Sequence, residues 1–236
     1  MRTLPPGNPH IWEEKRFAGK ETRPIFYYGI GGDGTDGPLV APGTYTVKLT
    51  SNGQSVTQPI VVLRDPSTKG SDQDIAESAA LSYKIYEDAN TSARLINHIE
   101  IERKQLEDTR KLLEMNKAEK SLLDATAKLD SQYLEQESKL VHPTIAEADI
   151  KSFRGPIGLY LKFIWLGAEA GNGAADVSGN ADFRPTQPEL DVFQMLDKQL
   201  SDVKSAIADI DTKGMAEYNR ALQSAGAMRI IAASPQ

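Results

Sequence analysis

The chain contains no cysteine, which excludes disulfides, thiolate metal sites and a cysteine nucleophile. Histidine is nearly as scarce. The three present, His10, His98 and His142, share no metal-ligand spacing. Around His98, Glu100 and Glu102 only fragments of the Glu-x-x-His pattern of carboxylate-bridged metal bundles occur, so no metal and no cofactor are expected. A Gly-x-Ser-x-Gly nucleophile elbow is absent too. Long hydrophobic runs are missing: the longest apolar stretch, residues 157–170, carries Lys162 and falls short of the roughly 20 residues that span a bilayer. No membrane span is expected. The opening MRTLPPGNPHIWEEK lacks the apolar core of a signal peptide, which suggests a cytosolic chain or a piece of something longer. Positive charge is not in surplus either. A net charge of −6 gives no electrostatic reason to expect nucleic acid or an anionic membrane as partner.

What is present divides in two near residue 70. Most glycines and prolines lie before residue 71 or between 143 and 188, and the charged, glycine-poor remainder has helical periodicity. The first part centres on residues 37–63, GPLVAPGTYTVKLTSNGQSVTQPIVVL. Tyr45, Val47 and Leu49 alternate with polar residues, and Asn52-Gly53 supplies a pair tolerant of positive φ. A two-residue hairpin follows, in which Leu49 faces Val56, Val47 faces Gln58 and Tyr45 faces Ile60. Pro59 requires an edge position or a bulge. One apolar face is left needing cover. Residues 23–30, RPIFYYGI, form a further strand candidate, and the Gly/Asp-rich residues 31–37 fit a plain loop better than a phosphate or calcium loop.

From Ser71, with Asp74 three residues on, a capping box opens a long helix. Ile85, Ser92, Ile99, Leu106 and Leu113 recur every seven residues, with Ala89 and Ile96 between them. Arg103 and Arg110 fall on the same intermediate positions, predicting a seam that narrows and an end that projects beyond the core. A break near Asn116 leads to a second, antiparallel helix, residues 118–140, with Leu122, Ala125, Leu129 and Tyr133 on one face. His142-Pro143 ends it, and Gly155-Pro156 opens a helix hydrophobic nearly all round, hence central, with Trp165 in the core. Residues 171–180 are expected as a long loop. Thr186, Pro188 and Glu189 start the last helix, whose stripe Phe193, Leu196, Leu200, Val203, Ile207 and Ile210 is interrupted at Gly214. Tyr218, Leu222, Met228 and Ile230 then extend the apolar face into the tail, and the stripe is expected to pack on the helix of Ile85, Ile99 and Leu106.

PLVAPGTYTVKLTSNGQSVTQPIVVLRDP, GPIGLYLKFIWLGAEAGNGAADVSGNADFRPTQPELDVF and NPHIWEEKRF together resemble the C-terminal region of secreted bacterial proteins with a neuraminidase-type or sortilin-type β-propeller, often labelled glycosyl hydrolases. The resemblance implies an α+β chain: a partial immunoglobulin-like or fibronectin-like β-sandwich domain (1–68) followed by an antiparallel helical bundle (71–236). It further implies a periplasmic or secreted location. No propeller or Asp-box repeat is present in the sequence, so the enzymatic label attaches to no residue, and no catalytic residue is assigned.

The function expected is therefore a non-catalytic accessory module that supports a propeller or mediates protein interaction. Its partner would be an upstream propeller domain, a separately encoded propeller chain, or a second copy. The alternative is a carbohydrate-binding module, with Trp12, Tyr27 and Tyr28 as possible contacts to glycans because they lie in the turn-rich part of the chain.

Overall fold

The computed structural model describes residues 38–141, 157–172, 182–228 and 230. It is α+β: one antiparallel hairpin and a helical bundle. Strands β1 (Gly43–Ser51) and β2 (Gln54–Val62) pair in the anticipated register, Leu49 with Val56, Val47 with Gln58 and Tyr45 with Ile60. Asn52 and Gly53 have φ of 49° and 78°, the left-handed values a type I′ turn demands.

Helix α1 (Asp72–Met115) is the spine. The Ser71 side chain accepts from the Asp74 backbone while the Asp74 carboxylate accepts from the Ser71 backbone, the reciprocal capping box expected. The helix ends in a Schellman motif, with Ala118 N–H donating to the Leu113 carbonyl and Lys117 to that of Glu114. Lys117 therefore holds a φ of 51°, where glycine is usual.

Helix α2 (Lys120–Leu140) runs back along the second half of α1, and α3 (Leu159–Asn172) lies antiparallel to its first half. Two contacts fix this second placement. Ser78 Oγ donates to the Ala170 carbonyl, and Gly167 sits against Ile85. The start of α3 abuts the end of α2, since a side chain at Gly158 would collide with the Leu140 carbonyl. Helix α4 (Gln187–Asp209) begins at a second capping box, Thr186 with Glu189, and Arg184 just before it pairs with Asp74 and Glu77 at the start of α1. A π turn (Ile210–Gly214) carries α4 into α5 (Met215–Ser224). The bundle thus has three rods: α1, α2 with α3 end to end, and α4–π–α5.

The core follows the sequence pattern. Ile85, Ala89, Ser92, Ile96, Ile99, Leu106 and Leu113 of α1 are all buried, as are Leu196, Leu200, Val203 and Ile207 of α4. Each large apolar side chain buried in this way contributes about 1.5–3 kcal/mol.

Several expectations need correction. Arg103 is buried inside the bundle, whereas Arg110 is exposed, so the seam narrows later than expected, and Leu113 beyond it remains covered. The interruption of the stripe at Gly214 is a π turn and not the end of the rod. The apolar stripe takes one five-residue step, from Ile210 to Met215, and the π turn absorbs the extra residue through a Met215 N–H to Ile210 carbonyl bond. Met215, Tyr218 and Leu222 consequently stay on the buried side. Met228 is exposed, whereas Ile230 is buried and is held at its backbone by the Asn219 amide. Trp165 is only half-buried, whereas Leu161, Phe163 and Leu166 of the same helix are buried. Helix α3 also continues to Asn172, so the first two residues of the expected loop are helical.

Candidate functional site

Two features stand apart from ordinary packing. The first is the hairpin. Every residue of β1 and β2 is exposed except the half-buried Val62. Tyr45, Val47, Leu49, Val56 and Ile60 share one pleat face and form an uncovered apolar patch. Across the whole hairpin the only charged side chain is Lys48. A stretch this apolar, displayed on two strands, is what interaction surfaces look like and what isolated hairpins avoid.

Its two edges differ. In a two-residue hairpin the closing pair, here Ser51 with Gln54, is hydrogen-bonded, and bonded and non-bonded pairs then alternate. Thr46 and Pro59 thus form a non-bonded pair, with their backbone nitrogens directed away from each other. Pro59 costs the hairpin no internal bond, and the register stays continuous without a bulge. The consequence lies outside the pair. The outer edge of β2 lacks a donor at Pro59, while the outer edge of β1 presents the N–H and C=O groups of Thr44, Thr46, Lys48 and Thr50 to an incoming strand.

The second feature is a buried polar cluster where the three rods meet. His98 of α1 directs Nε2 at the Asp211 carboxylate of the π turn, 3.0 Å from Oδ2, and the Tyr133 hydroxyl of α2 donates to Asp211 Oδ1 at 2.6 Å. A carboxylate only accepts, so Nε2 carries a proton and Nδ1 is the titrating atom. Nδ1 is buried and has no hydrogen-bond partner among the described residues. Burial works against a charge on His98, but the hydrogen bond and field of Asp211, together with Glu102, outweigh it and raise its pKa. Burial, reinforced by Asp211, pushes the Tyr133 hydroxyl far up, so it acts only as a donor.

Next to this cluster Arg103 binds Asp130 through Nε at 2.9 Å and Glu137 through a second nitrogen. The guanidinium loses solvation on burial but gains more from the two carboxylates, which keep it charged. On the outer side of the π turn a groove of about 410 Å³ runs between α2 and α5, floored by Leu129, Gly214 and Tyr218 and edged by Lys128, Lys213 and Glu217. Both lysines and the glutamate are side chains on the rim, and nothing in the groove is arranged as a nucleophile with its base.

Trp12, Tyr27 and Tyr28 lie outside the described residues, as do His10, His142, the 23–30 strand candidate and the 31–37 loop. Of the histidines, His98 is thus the one placed, and it meets a carboxylate 113 positions away in sequence. Spacing arguments had no access to that pairing. Among the described residues no group of three or more histidine, aspartate or glutamate side chains is positioned to hold a metal ion, and no helix is long and apolar enough to cross a membrane. No protein family, curated protein or solved structure was found to match the chain.

Proposed function

We propose that this chain is a non-catalytic accessory module that docks a partner protein through its hairpin, the partner being a β-propeller protein or the β-domain attached to one. The observation that carries the reading is the uncovered face of Tyr45, Val47, Leu49, Val56 and Ile60 beside the open β1 edge. Strand addition would supply backbone bonds to β1 and would cover that face with alternate apolar side chains, completing an immunoglobulin-like or fibronectin-like sheet. The near absence of charge on the hairpin fits an apolar strand rather than an acidic or basic peptide. The resemblance to the C-terminal region of secreted propeller proteins supports the choice of partner and a periplasmic or secreted setting.

The test uses the edge asymmetry. Thr46→Pro removes an outward N–H from β1 and leaves the internal ladder intact, just as Pro59 does on β2. A purified β-propeller protein encoded by the same genome is titrated against the immobilised chain. Binding by the parent and at least tenfold weaker binding by Thr46→Pro, with unchanged helical circular dichroism, are expected. Equal binding by both would refute strand addition. No binding, together with dimers that Thr46→Pro dissolves in light scattering, would assign the edge to a second copy and refute the propeller partner.

A further inference from the structure

The two edges of the hairpin differ in a way that docking alone does not require, and Pro59 is the cause. We propose that Pro59 is a stop residue: it confines strand addition to β1, so that an assembly built at the hairpin ends after one added strand and does not extend into an open sheet. This rests on the reading of β1 as the accepting edge.

Among the described residues the sheet has two strands and therefore two free edges. An incoming strand needs the outward groups of alternate residues, which on β1 are Thr44, Thr46, Lys48 and Thr50 and on β2 are Ser55, Thr57, Pro59 and Val61. With both edges open, β1 of one copy could pair with β2 of the next. Such a contact is head-to-tail and leaves a free edge at each end, so nothing in its symmetry closes it. Pro59 has no N–H to give, and its ring Cδ stands where the hydrogen would be, in the path of an incoming carbonyl. No continuous ladder can then form along the outside of β2.

Strand β2 needs such a stop more than β1 does. Its sequence, QSVTQPIVV, has no charge and no glycine, is rich in β-branched residues and is exposed up to Val62. Those are the marks of a self-pairing segment in every respect but one, the absence of proline. Lys48 gives β1 a charge, but a charged side chain leaves the backbone donors of that edge in place. The position of Pro59 is also the right one for a residue that acts only outward. Gln58 and Ile60 on either side belong to the hydrogen-bonded pairs with Val47 and Tyr45, so a proline at either would remove a bond that joins β2 to β1. At 59, opposite Thr46, it removes none.

Light scattering over a range of concentrations tests the stop on three full-length chains: the parent, Pro59→Thr, and the exchange variant Thr46→Pro/Pro59→Thr. The parent should reach two copies at most, through β1 against β1. Pro59→Thr restores the outward N–H and should grow past two copies, with a mass that keeps rising with concentration. The exchange variant moves the stop to β1 and should return to two copies at most. If Pro59→Thr is insoluble, the same reversal is read as recovery of soluble protein in the exchange variant, with helical circular dichroism unchanged. Pro59→Thr that stays at the mass of the parent would overturn the proposal. So would growth of the parent itself, or growth of the exchange variant equal to that of Pro59→Thr, which would trace assembly to the apolar face instead of the edges. The result is separable from the propeller titration. A parent that binds no propeller protein while Pro59→Thr grows removes the docking partner and keeps the stop, whereas Thr46-dependent propeller binding without growth of Pro59→Thr keeps the partner and removes the stop.

Discussion

Replacing Arg103 with leucine should be among the most damaging single changes the bundle can suffer, although arginine on a helix surface is usually replaceable. Its side chain is 5% exposed and its partner Glu137 is 4% exposed, so neither charge has water to fall back on. Asp130, at 35%, retains solvent and loses less when the guanidinium goes. The penalty therefore concentrates on Glu137, which keeps its negative charge in the interior without its cation. Breaking a buried pair on one side costs about 3–5 kcal/mol, a large part of the roughly 5–15 kcal/mol that holds a typical domain folded. The pair itself adds little net stability, because both groups were desolvated to make it. Arg103→Leu combined with Glu137→Leu should thus recover most of the loss. Urea unfolding followed by circular dichroism at 222 nm measures all three proteins. The single variant should also regain stability as pH falls, because a proton on Glu137 removes the stranded charge. A loss under about 1 kcal/mol in the single variant, or a double variant no better than the single, would refute the reasoning.

Leu200→Ala should cost about 2–5 kcal/mol in the same assay, since the side chain is 1% exposed; a cost near zero would mean that the α4 stripe is not core. Gly53→Val has open space around it but must hold a φ of 78°, so a loss of hairpin structure worth about 1–2 kcal/mol is expected, read by NMR as weakened cross-strand contacts. Lys117→Gly should stabilise the bundle by up to about 1 kcal/mol by relieving the left-handed residue that closes α1, the role Gly226 already fills after α5. Burial, with Asp197 close by, pushes the Asp88 carboxyl up to about 6. A raised carboxyl pKa destabilises the fold above that pH and ceases to do so as pH falls towards the unfolded value. Asp88→Asn should accordingly stabilise at pH 8 by no more than about 1 kcal/mol, given solvent screening at a half-exposed site, and should be neutral by pH 4.

Local chemistry made much of the fold readable. Asn52-Gly53 fixes the register because few residues accept two successive positive φ values, and Ser71 and Thr186 mark helix starts because an acidic residue three positions on completes each box. The heptad from Ile85 to Leu113 identified the inner face of α1 for the same reason, a period visible in one stretch of chain. What escaped depends on partners far apart. Arg103 sits at a position in the repeat where a charge ordinarily signals solvent, and Asp130 and Glu137 on another helix help to make its burial tolerable. His98 meets Asp211 through tertiary packing alone. Gly214 read as a break because glycine is a poor helix former, yet here it lets the backbone approach Leu129, where an added methyl would sit at 3.1 Å. The exposure of the hairpin face was foreseen as a need for cover, and the described residues leave that need unmet.

Helix α1 also sets a distance. At 1.5 Å per residue its 44 residues extend about 66 Å, and the other two rods run alongside it, so the length is braced rather than free to bend. The hairpin joins at the first turn, where Arg64 binds Asp72 and the Gly70 carbonyl. Leu112 and Met115 mark the far tip with exposed apolar side chains. The helix thus separates its first turn, where the hairpin joins, from the apolar tip by about 66 Å.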